Sequence, residues 1–206
     1  ALTALVRPFL TNVPDERQET VTMRDVLLFV DVTVDGFMAG PNNDLSVMVE
    51  DADLYRTMTT ELMERADTII VGGKVFHDMA AYWTTATDSV AHWMNATPKV
   101  VLSNTLKDVT AWQNSTVASG DGAAEVQRLK TLPGKALVVF GGVQTVRSLV
   151  RAGVVDEFWL KVSPVAVGQG GPVFADLSAP VRLELQSVRS FPSGAVALVY
   201  KNTSHR

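Results

Sequence analysis

The spacing of apolar and polar residues along the chain predicts alternating strands and helices. Runs rich in Val, Leu, Ile and Phe occur at residues 25–34, 68–71, 100–102 and 136–140. Such runs are typical of strands that are covered on both faces. The segments between them have helical spacing, most clearly at residues 52–65. Strands that alternate with helices in this way predict a parallel sheet with crossover helices.

The pattern changes after residue 154. Turn-forming stretches at 168–172 and 192–194 now separate three strand-like segments, at residues 156–165, 182–190 and 195–201. We expect these segments to be antiparallel. The predicted fold is therefore α/β, in three layers (α/β/α), with a mixed, mostly parallel sheet that ends in an antiparallel hairpin.

Length and composition narrow the class of protein. With 206 residues, 47% of them hydrophobic, the chain is long enough for one sizeable core, which we place at residues 23–206. Residues 1–22 are interpreted as an N-terminal extension, either flexible or a dimer arm. The net charge of −4 includes no basic stripe, so nucleic acid is not an expected partner. No apolar stretch approaches the length of a membrane span, and no membrane association is expected.

Residue types also limit the chemistry. The chain has no Cys, which rules out disulfides and thiolate nucleophiles and fits a reducing cytoplasm, where we expect the protein to be. The three His residues lack the spacing of metal ligands, so no metal is predicted. There is no G-x-S-x-G elbow, which argues against a serine hydrolase.

Two strand ends carry glycine pairs. The run at 137–140 continues into Gly141, Gly142, Val143, Gln144 and Thr145, and the run at 68–71 continues into Gly72, Gly73, Lys74 and Val75. Backbone N–H groups at a helix N-terminus attract anions, and glycine lets a pyrophosphate approach the backbone closely. The alternative is a tight turn that binds nothing. Neither junction is a G-x-G-x-x-G fingerprint, so a conventional Rossmann site is disfavoured.

Other candidates are polar or aromatic. Asp35 begins a loop of turn formers at residues 35–44, where it could orient a substrate, relay a proton or merely cap the turn. Asp31 lies inside a predicted buried strand, where a carboxylate requires a partner. Trp83, with Tyr82, is a candidate pocket wall for a flat ring, whereas the other Trp residues are expected to pack in the core.

Five short motifs occur in an order similar to that of the riboflavin-biosynthesis reductase and dihydrofolate-reductase-like family, over residues 23–201. They are Asp35–Gly40 (DGFMAG), Gly72-Gly73-Lys74, Ser103-Asn104-Thr105-Leu106, Gly141-Gly142 and Pro164–Phe174 (PVAVGQGGPVF). The resemblance implies a dihydrofolate-reductase-like fold. It also implies an NAD(P)H-dependent reductase of a small conjugated or heterocyclic substrate, pterin-like or ribityl-pyrimidine-like.

The resemblance also implies roles for particular residues. NADPH would place its pyrophosphate at Gly141-Gly142 and its adenosine ribose and phosphate between the Gly72 and Ser103 junctions. The loop 35–44 would cover the nicotinamide, with Asp35 nearest the reacting groups. Residues 165–174 would line the substrate side and contribute to a homodimer. The expected substrate-binding residues are Asp31, Phe37, Trp83, Val165 and Gly168.

The chain departs from the family at the phosphate-binding residues. Relatives often have an arginine and a hydroxyl residue where this chain has Gly73 and Val75, and a basic residue where it has Asn104. Lys74 would then hold a ribose phosphate alone, or the cofactor is NADH. The alternative is a non-redox small-molecule binding protein, or an enzyme on the same scaffold that has lost the nicotinamide cofactor.

Overall fold

The computed structural model describes residues 23–204, which build one eight-stranded sheet. The strands are β1 Val26–Thr33, β2 Ala66–Gly72, β3 Lys99–Leu102, β4 Ser115–Ala118, β5 Ala136–Phe140, β6 Glu157–Ser163, β7 Leu183–Ser190 and β8 Val196–Asn202. Their order across the sheet is β4-β3-β2-β5-β1-β6-β8-β7. The first six strands are parallel to one another, and β8 runs antiparallel to both β6 and β7. The predicted mixed sheet is confirmed.

The helices are α1 Ala52–Arg65, α2 Phe76–Trp83, α3 Ser89–Ala96, α4 Gly122–Lys130 and α5 Val143–Arg151. The N-cap residues of α1, α3 and α4 are Asp51, Asp88 and Asp121, and the carboxylate of each accepts a backbone N–H from the first turn of its helix. Such a cap satisfies one or two of the N–H groups that a helix start leaves unpaired. The α1 bounds are those that the sequence predicts, because an N-cap and a regular apolar stripe both point to them.

Two cores lie on opposite faces of the sheet. In β1, Leu27 and Phe29 join a cluster with apolar residues of α1, α2 and α3, whereas Val26, Leu28 and Val30 join a cluster with α4 and α5. Neighbouring strand residues point to opposite faces, so a strand covered on both sides is apolar throughout. The three-layer arrangement that the sequence predicts is confirmed.

The strand β6 joins the parallel part of the sheet to the hairpin. It is antiparallel to β8, as the sequence predicts for the carboxyl-terminal segments, and it is also parallel to β1, with Asp31 opposite Lys161. A further strand, β4 (STVA), was not predicted; it is a short edge strand with polar residues, which carries no apolar run.

Two loops pair at the carboxyl ends of the strands. Met38 N–H donates to the Gly171 carbonyl at 2.7 Å, and Gly171 N–H donates to the Ala39 carbonyl at 3.0 Å. Gly170 has φ +139°, and a Cβ there would lie 2.1 Å from the Ala39 oxygen, so this approach requires glycine. The predicted extension at residues 1–22 lies outside the described residues. Within residues 23–204, no helix has the length and apolarity that a membrane crossing needs.

Candidate functional site

The two glycine junctions lie in contact at the carboxyl edge of the sheet. They follow β2 and β5, which are neighbours and parallel. A Cβ on Gly142 would lie 3.7 Å from the Gly72 Cα, and a Cβ on Gly72 would lie 2.2 Å from Thr145 Oγ1. Any side chain at position 72 would therefore displace Thr145. In open α/β sheets, ligands bind in the crevice outside the carboxyl ends of the strands, which is where this junction lies.

The helices that follow the glycine pairs begin without a side-chain cap. The N-cap residues of α5 and α2 are Gly142 and Val75, and neither accepts a backbone N–H through its side chain. The other three α-helices of residues 23–204 are all capped by Asp. At the start of α5, the N–H groups of Val143, Gln144 and Thr145 precede the first intrahelical bond, which Val146 donates to Gly142. Such N–H groups, at the positive end of the helix dipole, form an anion-binding site.

Gly141 leaves the backbone open beside this helix start. It has φ +61°, and a Cβ there would meet nothing within 4 Å. Gln144 is exposed, whereas Val143 and Thr145 are partly buried. A Cβ on Gly171 would lie 2.7 Å from Val143 Cγ2, so the loop after β6 packs against the start of α5. The predicted pyrophosphate residues thus lie between two glycine-rich loops, with open space over Gly141.

The predicted ribose-phosphate residues are also close together. Gly73 N–H donates to the Leu102 carbonyl at 3.1 Å, and a Cβ on Gly73 would lie 2.5 Å from Ser103 Oγ. The Ser103 hydroxyl accepts the Leu106 N–H at 3.0 Å, and Asn104 Oδ1 accepts the Gly120 N–H at 2.5 Å. Both side chains are therefore engaged in their own loops. Lys74 is exposed, and within residues 23–204 its ammonium has no ion-pair partner.

Asp35 holds the two paired loops together. Its carboxylate accepts hydrogen bonds from Thr33 Oγ1 at 2.5 Å, from Gly168 N–H at 2.7 Å and from Val167 N–H at 3.1 Å. The Thr33 hydroxyl, followed by these backbone donors, holds the pKa of Asp35 below its usual value. Asp35 is thus kept ionised, as a hydrogen-bond acceptor.

The other predicted loop residues lie beside Asp35. Phe37 forms an isolated antiparallel bridge with Pro172. The carbonyl of Val165 accepts the Val34 N–H at 3.0 Å, and Gly168, with φ +70°, has open space where a Cβ would be. The structure therefore brings the loop candidates together along one rim of the sheet.

Asp31 has a partner that sequence reasoning missed. Lys161 Nζ, on the adjacent strand β6, donates to Asp31 Oδ2 at 2.6 Å. The Lys161 side chain is 9% exposed and that of Asp31 is 43% exposed, so Asp31 is the member of the pair that faces solvent. Asp31 therefore has the partner that a carboxylate in this strand requires, but its side chain is only partly buried, because it lies near the open end of β1. A lysine within the apolar run EFWLKVS was the signal available in the sequence.

Trp83 lies mainly in the core. It is 8% exposed, and its carbonyl accepts a hydrogen bond from Asn95 Nδ2 at 2.8 Å. Tyr82 is 60% exposed and meets the Trp83 ring edge-on, with centroids 4.8 Å apart. Tyr82 thus offers more aromatic surface than Trp83. Trp112 and Trp159 are buried, as the sequence predicts for packing residues.

Two cavities lie away from the glycine junctions. The larger, about 370 Å³, is lined by residues that precede β1, β2 and β5, at the amino ends of the strands, including Arg24, Arg65 and Lys135. The smaller, about 140 Å³, lies between α5 and Asp176. The residues around the larger cavity are already joined in ion pairs, Arg24 with Asp67 and Arg65 with Glu157. In residues 23–204, no group of three or more His, Asp or Glu side chains is placed to hold a metal ion.

Comparisons with known proteins place this chain in a family. Residues 24–197 match the RibD C-terminal domain. YyaP, an uncharacterised protein of Bacillus subtilis (strain 168), is 31% identical over 183 residues, which cover 86% of this chain and 94% of YyaP. Among solved structures, one described as a riboflavin biosynthesis protein from Shewanella sp. PV-4 has a TM-score of 0.71 at 20% identity, covering 87% of this chain and 99% of that one.

A second solved structure has the same fold. Dihydrofolate reductase from Enterococcus faecalis, crystallised with NADP(H), has a TM-score of 0.58 at 11% identity and covers 87% of this chain and 97% of its own. The fold is therefore that of the dihydrofolate-reductase-like α/β class. Within that class, the chain belongs to the RibD C-terminal domain family.

Proposed function

We propose that this chain is an NAD(P)H-dependent reductase of a small conjugated or heterocyclic substrate, pterin-like or ribityl-pyrimidine-like. The observation that carries the proposal is the start of α5, which has no side-chain cap and lies against the Gly72 junction. A dihydrofolate reductase of the same fold was crystallised with NADP(H), which supports a nicotinamide dinucleotide as a ligand of this fold. Membership of the RibD C-terminal domain family supports a heterocyclic substrate.

The residues present fit the pyrophosphate of a dinucleotide. The N–H groups of Val143, Gln144 and Thr145 would hold its oxygens, and the open space over Gly141 would let it approach the backbone. When bound, the cofactor supplies the hydride, so the protein needs no nucleophile of its own. The chain's residues bind and orient both molecules and exclude water from the reacting centre.

Asp35 and Asp31 take different parts in this proposal. Asp35 holds the loop 35–44 against residues 167–168, on the side where the nicotinamide would lie. Because its pKa is lowered, chiefly by the Thr33 hydroxyl, it suits a positioning role better than proton donation. Asp31 is half-exposed near the end of β1, the strand that leads into the loop 35–44, and would contact the substrate.

Lys74 is the residue that would distinguish NADPH from NADH. It is exposed beside Gly73, whereas the Asn104 side chain is tied to Gly120. A single lysine holds a phosphate as a point charge, without the bidentate geometry of arginine. We therefore expect the preference for NADPH to be small and to depend on Lys74.

Gly73→Arg tests why the family's arginine is absent here. A Cβ at position 73 would lie 2.5 Å from Ser103 Oγ, so Gly73→Arg alone should lower the melting temperature. Adding Ser103→Gly removes the clash, and the double variant should gain about tenfold in NADPH affinity relative to NADH. A single variant with the melting temperature and cofactor preference of the wild-type protein would contradict this account.

The reductase proposal is tested by titrating the full chain with NADPH and with NADH, following tryptophan fluorescence. Saturable binding is expected for at least one of them, and Lys74→Ala should weaken NADPH more than NADH. Lys107→Ala is the matched control, because Lys107 is also exposed but lies outside the proposed contacts. Failure of both dinucleotides to bind would refute the proposal.

A non-redox small-molecule binder is the second candidate function. It is favoured by one observation: the hydroxyl of Ser103 and the amide of Asn104 are engaged in their own loops and offer no charge to a phosphate. In that case a small ligand would still bind at the carboxyl edge, but without a dinucleotide beside it.

We also propose that the chain forms a homodimer. Phe174, in the loop 165–174, is 38% exposed, and the edge strand β7 exposes Leu185 and Val188. Exposed apolar side chains of this kind are typical of contact surfaces. Light scattering on the purified chain tests the proposal, and a monomeric mass across the accessible concentration range would refute it.

A further inference from the structure

The pair formed by Asp31 and Lys161 lies beside the proposed cofactor edge. Phe29, two residues before Asp31, meets the Phe140 ring with centroids 5.4 Å apart, and Phe140 directly precedes Gly141. Lys161 Nζ lies 4.7 Å from the Phe29 ring centroid. The aromatic residue beneath Asp31 therefore packs directly on the end of β5, which leads into the Gly141-Gly142 junction.

Lys161 is confined beneath Asp31. Its side chain is 9% exposed, and its ammonium also lies 5.2 Å from the ring centroid of Tyr55 on α1. The two aromatic faces and the Asp31 carboxylate together replace the water around this charge. Because it is enclosed in this way, Lys161 cannot swing out to contact a substrate or make room for another cation.

The carboxylate keeps one oxygen free for a ligand. Asp31 Oδ2 is bound to Lys161, whereas Oδ1 has no hydrogen-bond partner within residues 23–204. That oxygen belongs to a 43% exposed side chain and would accept an N–H or O–H from a bound molecule. The charge of Asp31, however, is already balanced by a fixed ammonium 2.6 Å away.

We infer that Lys161 is a specificity-determining residue, which makes the Asp31 site select neutral ring systems with an N–H donor over cationic ones. A neutral N–H donor gains a hydrogen bond to Asp31 Oδ1. Because the Asp31 charge is already balanced by Lys161, a positive charge on the ring gains little further attraction. A ring cation gains the same hydrogen bond, but its attraction to Asp31 is offset by repulsion from Lys161. This inference rests on the proposed function, because it concerns the substrate side of that site.

The test uses two flat bicyclic probes of nearly equal shape. At mildly acidic pH, 2,4-diaminoquinazoline is a cation, whereas 2-aminoquinazolin-4(3H)-one is neutral and keeps an N–H donor edge. Each is titrated calorimetrically into the full chain. The wild-type protein is expected to bind the neutral probe at least as tightly as the cation.

Lys161→Met should reverse this preference. The substitution keeps most of the buried stem but removes the charge, so the affinity for the cation should rise about tenfold relative to the neutral probe. Lys161→Arg keeps the charge and should keep the wild-type ratio. An unchanged ratio in Lys161→Met would overturn the inference, as would a wild-type protein that prefers the cation or binds neither probe.

Asp31→Asn keeps the test decisive should Lys161→Met fail to fold. It leaves the Lys161 charge unbalanced, so this variant should bind the cation about tenfold more weakly than the neutral probe, and equal affinities for the two probes would overturn the inference. NADPH binding is measured separately on every variant. If Lys161→Met changes the ratio of cation to neutral-probe affinity but the wild-type protein does not bind NADPH, the specificity inference stands and the reductase proposal is refuted. If NADPH binds but the ratio does not change, the reductase proposal stands and the specificity inference is refuted.

Discussion

Gly142→Ala separates the backbone role of this glycine from its proposed role in cofactor binding. Gly142 is the N-cap of α5 and has φ +85°. A Cβ there would meet Thr145 Oγ1 and Val75 Cγ2 at 3.5 Å, which is ordinary contact, so the folded state needs no steric rearrangement. The cost comes from the backbone, because a residue with a side chain in this region loses roughly 1–2 kcal/mol.

Gly194→Ala is the matched control, in the turn between β7 and β8. Gly194 has φ +84°, and its nearest neighbour would be Pro164 Cγ at 3.4 Å. Both variants should therefore lose roughly 1–2 kcal/mol, which lowers the melting temperature by about 2–8 °C for a domain of this size. Calorimetric unfolding of the two variants without ligand measures this.

The two variants should differ in NADPH affinity. The added methyl of Gly142→Ala packs against Val75 and Thr145. The strained backbone at this N-cap should shift the N–H groups that follow it, which would hold the pyrophosphate, and should weaken NADPH about tenfold. Gly194→Ala lies on the hairpin and should bind NADPH as the wild-type protein does. Wild-type affinity in both variants, at equal loss of stability, would refute the assignment of the pyrophosphate to this junction.

Three further predictions concern stability. Asp67→Ala removes the ion-pair partner of the buried Arg24 guanidinium, which keeps its hydrogen bonds to Thr68 and Lys135, and should cost about 2 kcal/mol in chemical unfolding. No measurable loss would contradict this. Burial alone would raise the pKa of Glu157, but its hydrogen bonds, led by those from Arg65, outweigh burial and hold the pKa below 4.5. The stability that this group contributes is therefore present above pH 4.5 and is lost as the pH falls. Glu157→Gln should reduce this loss of stability at low pH, as measured by chemical unfolding. Burial lowers the pKa of Lys99 from 10.5 to about 8, so stability should rise between these pH values relative to Lys99→Met, and parallel pH profiles would contradict this.

Local signals in the sequence define the regular elements well. The helix α1 combines an Asp51 cap with a regular apolar stripe, and β5 is five buried apolar residues followed by glycine. Both are found where the sequence predicts them, because their causes lie within a few neighbouring residues. The short polar strand β4 has no such local signal, since its pairing with β3 provides the hydrogen bonds.

Contacts between distant residues could not be predicted in the same way. Asp35 receives the N–H groups of Val167 and Gly168, more than 130 residues along the chain, and Lys161 reaches Asp31 through the register of two parallel strands. A lysine within the apolar run EFWLKVS indicates a charge that needs a partner, but nothing in the sequence around either contact identifies the distant residue that provides it. Aspartate before glycine predicts a turn, but which loop that turn holds depends on the tertiary fold.

The glycine junctions are an intermediate case. The sequence predicts two strand–Gly–Gly–helix junctions at one edge of a parallel sheet, because parallel strands all end on the same side. That Gly72 lies against Thr145, and that neither following helix has a side-chain cap, follows only from the three-dimensional arrangement. The candidate site was therefore predictable in its location and not in its contacts.

A crystal structure of the chain with NADPH tests the central claim most directly. The account predicts pyrophosphate oxygens within hydrogen-bond distance of the N–H groups of Val143, Gln144 and Thr145, with the nicotinamide towards the loop 35–44 and Asp31. A dinucleotide bound elsewhere, or none bound at saturating concentration while the start of α5 is open to solvent, would contradict it.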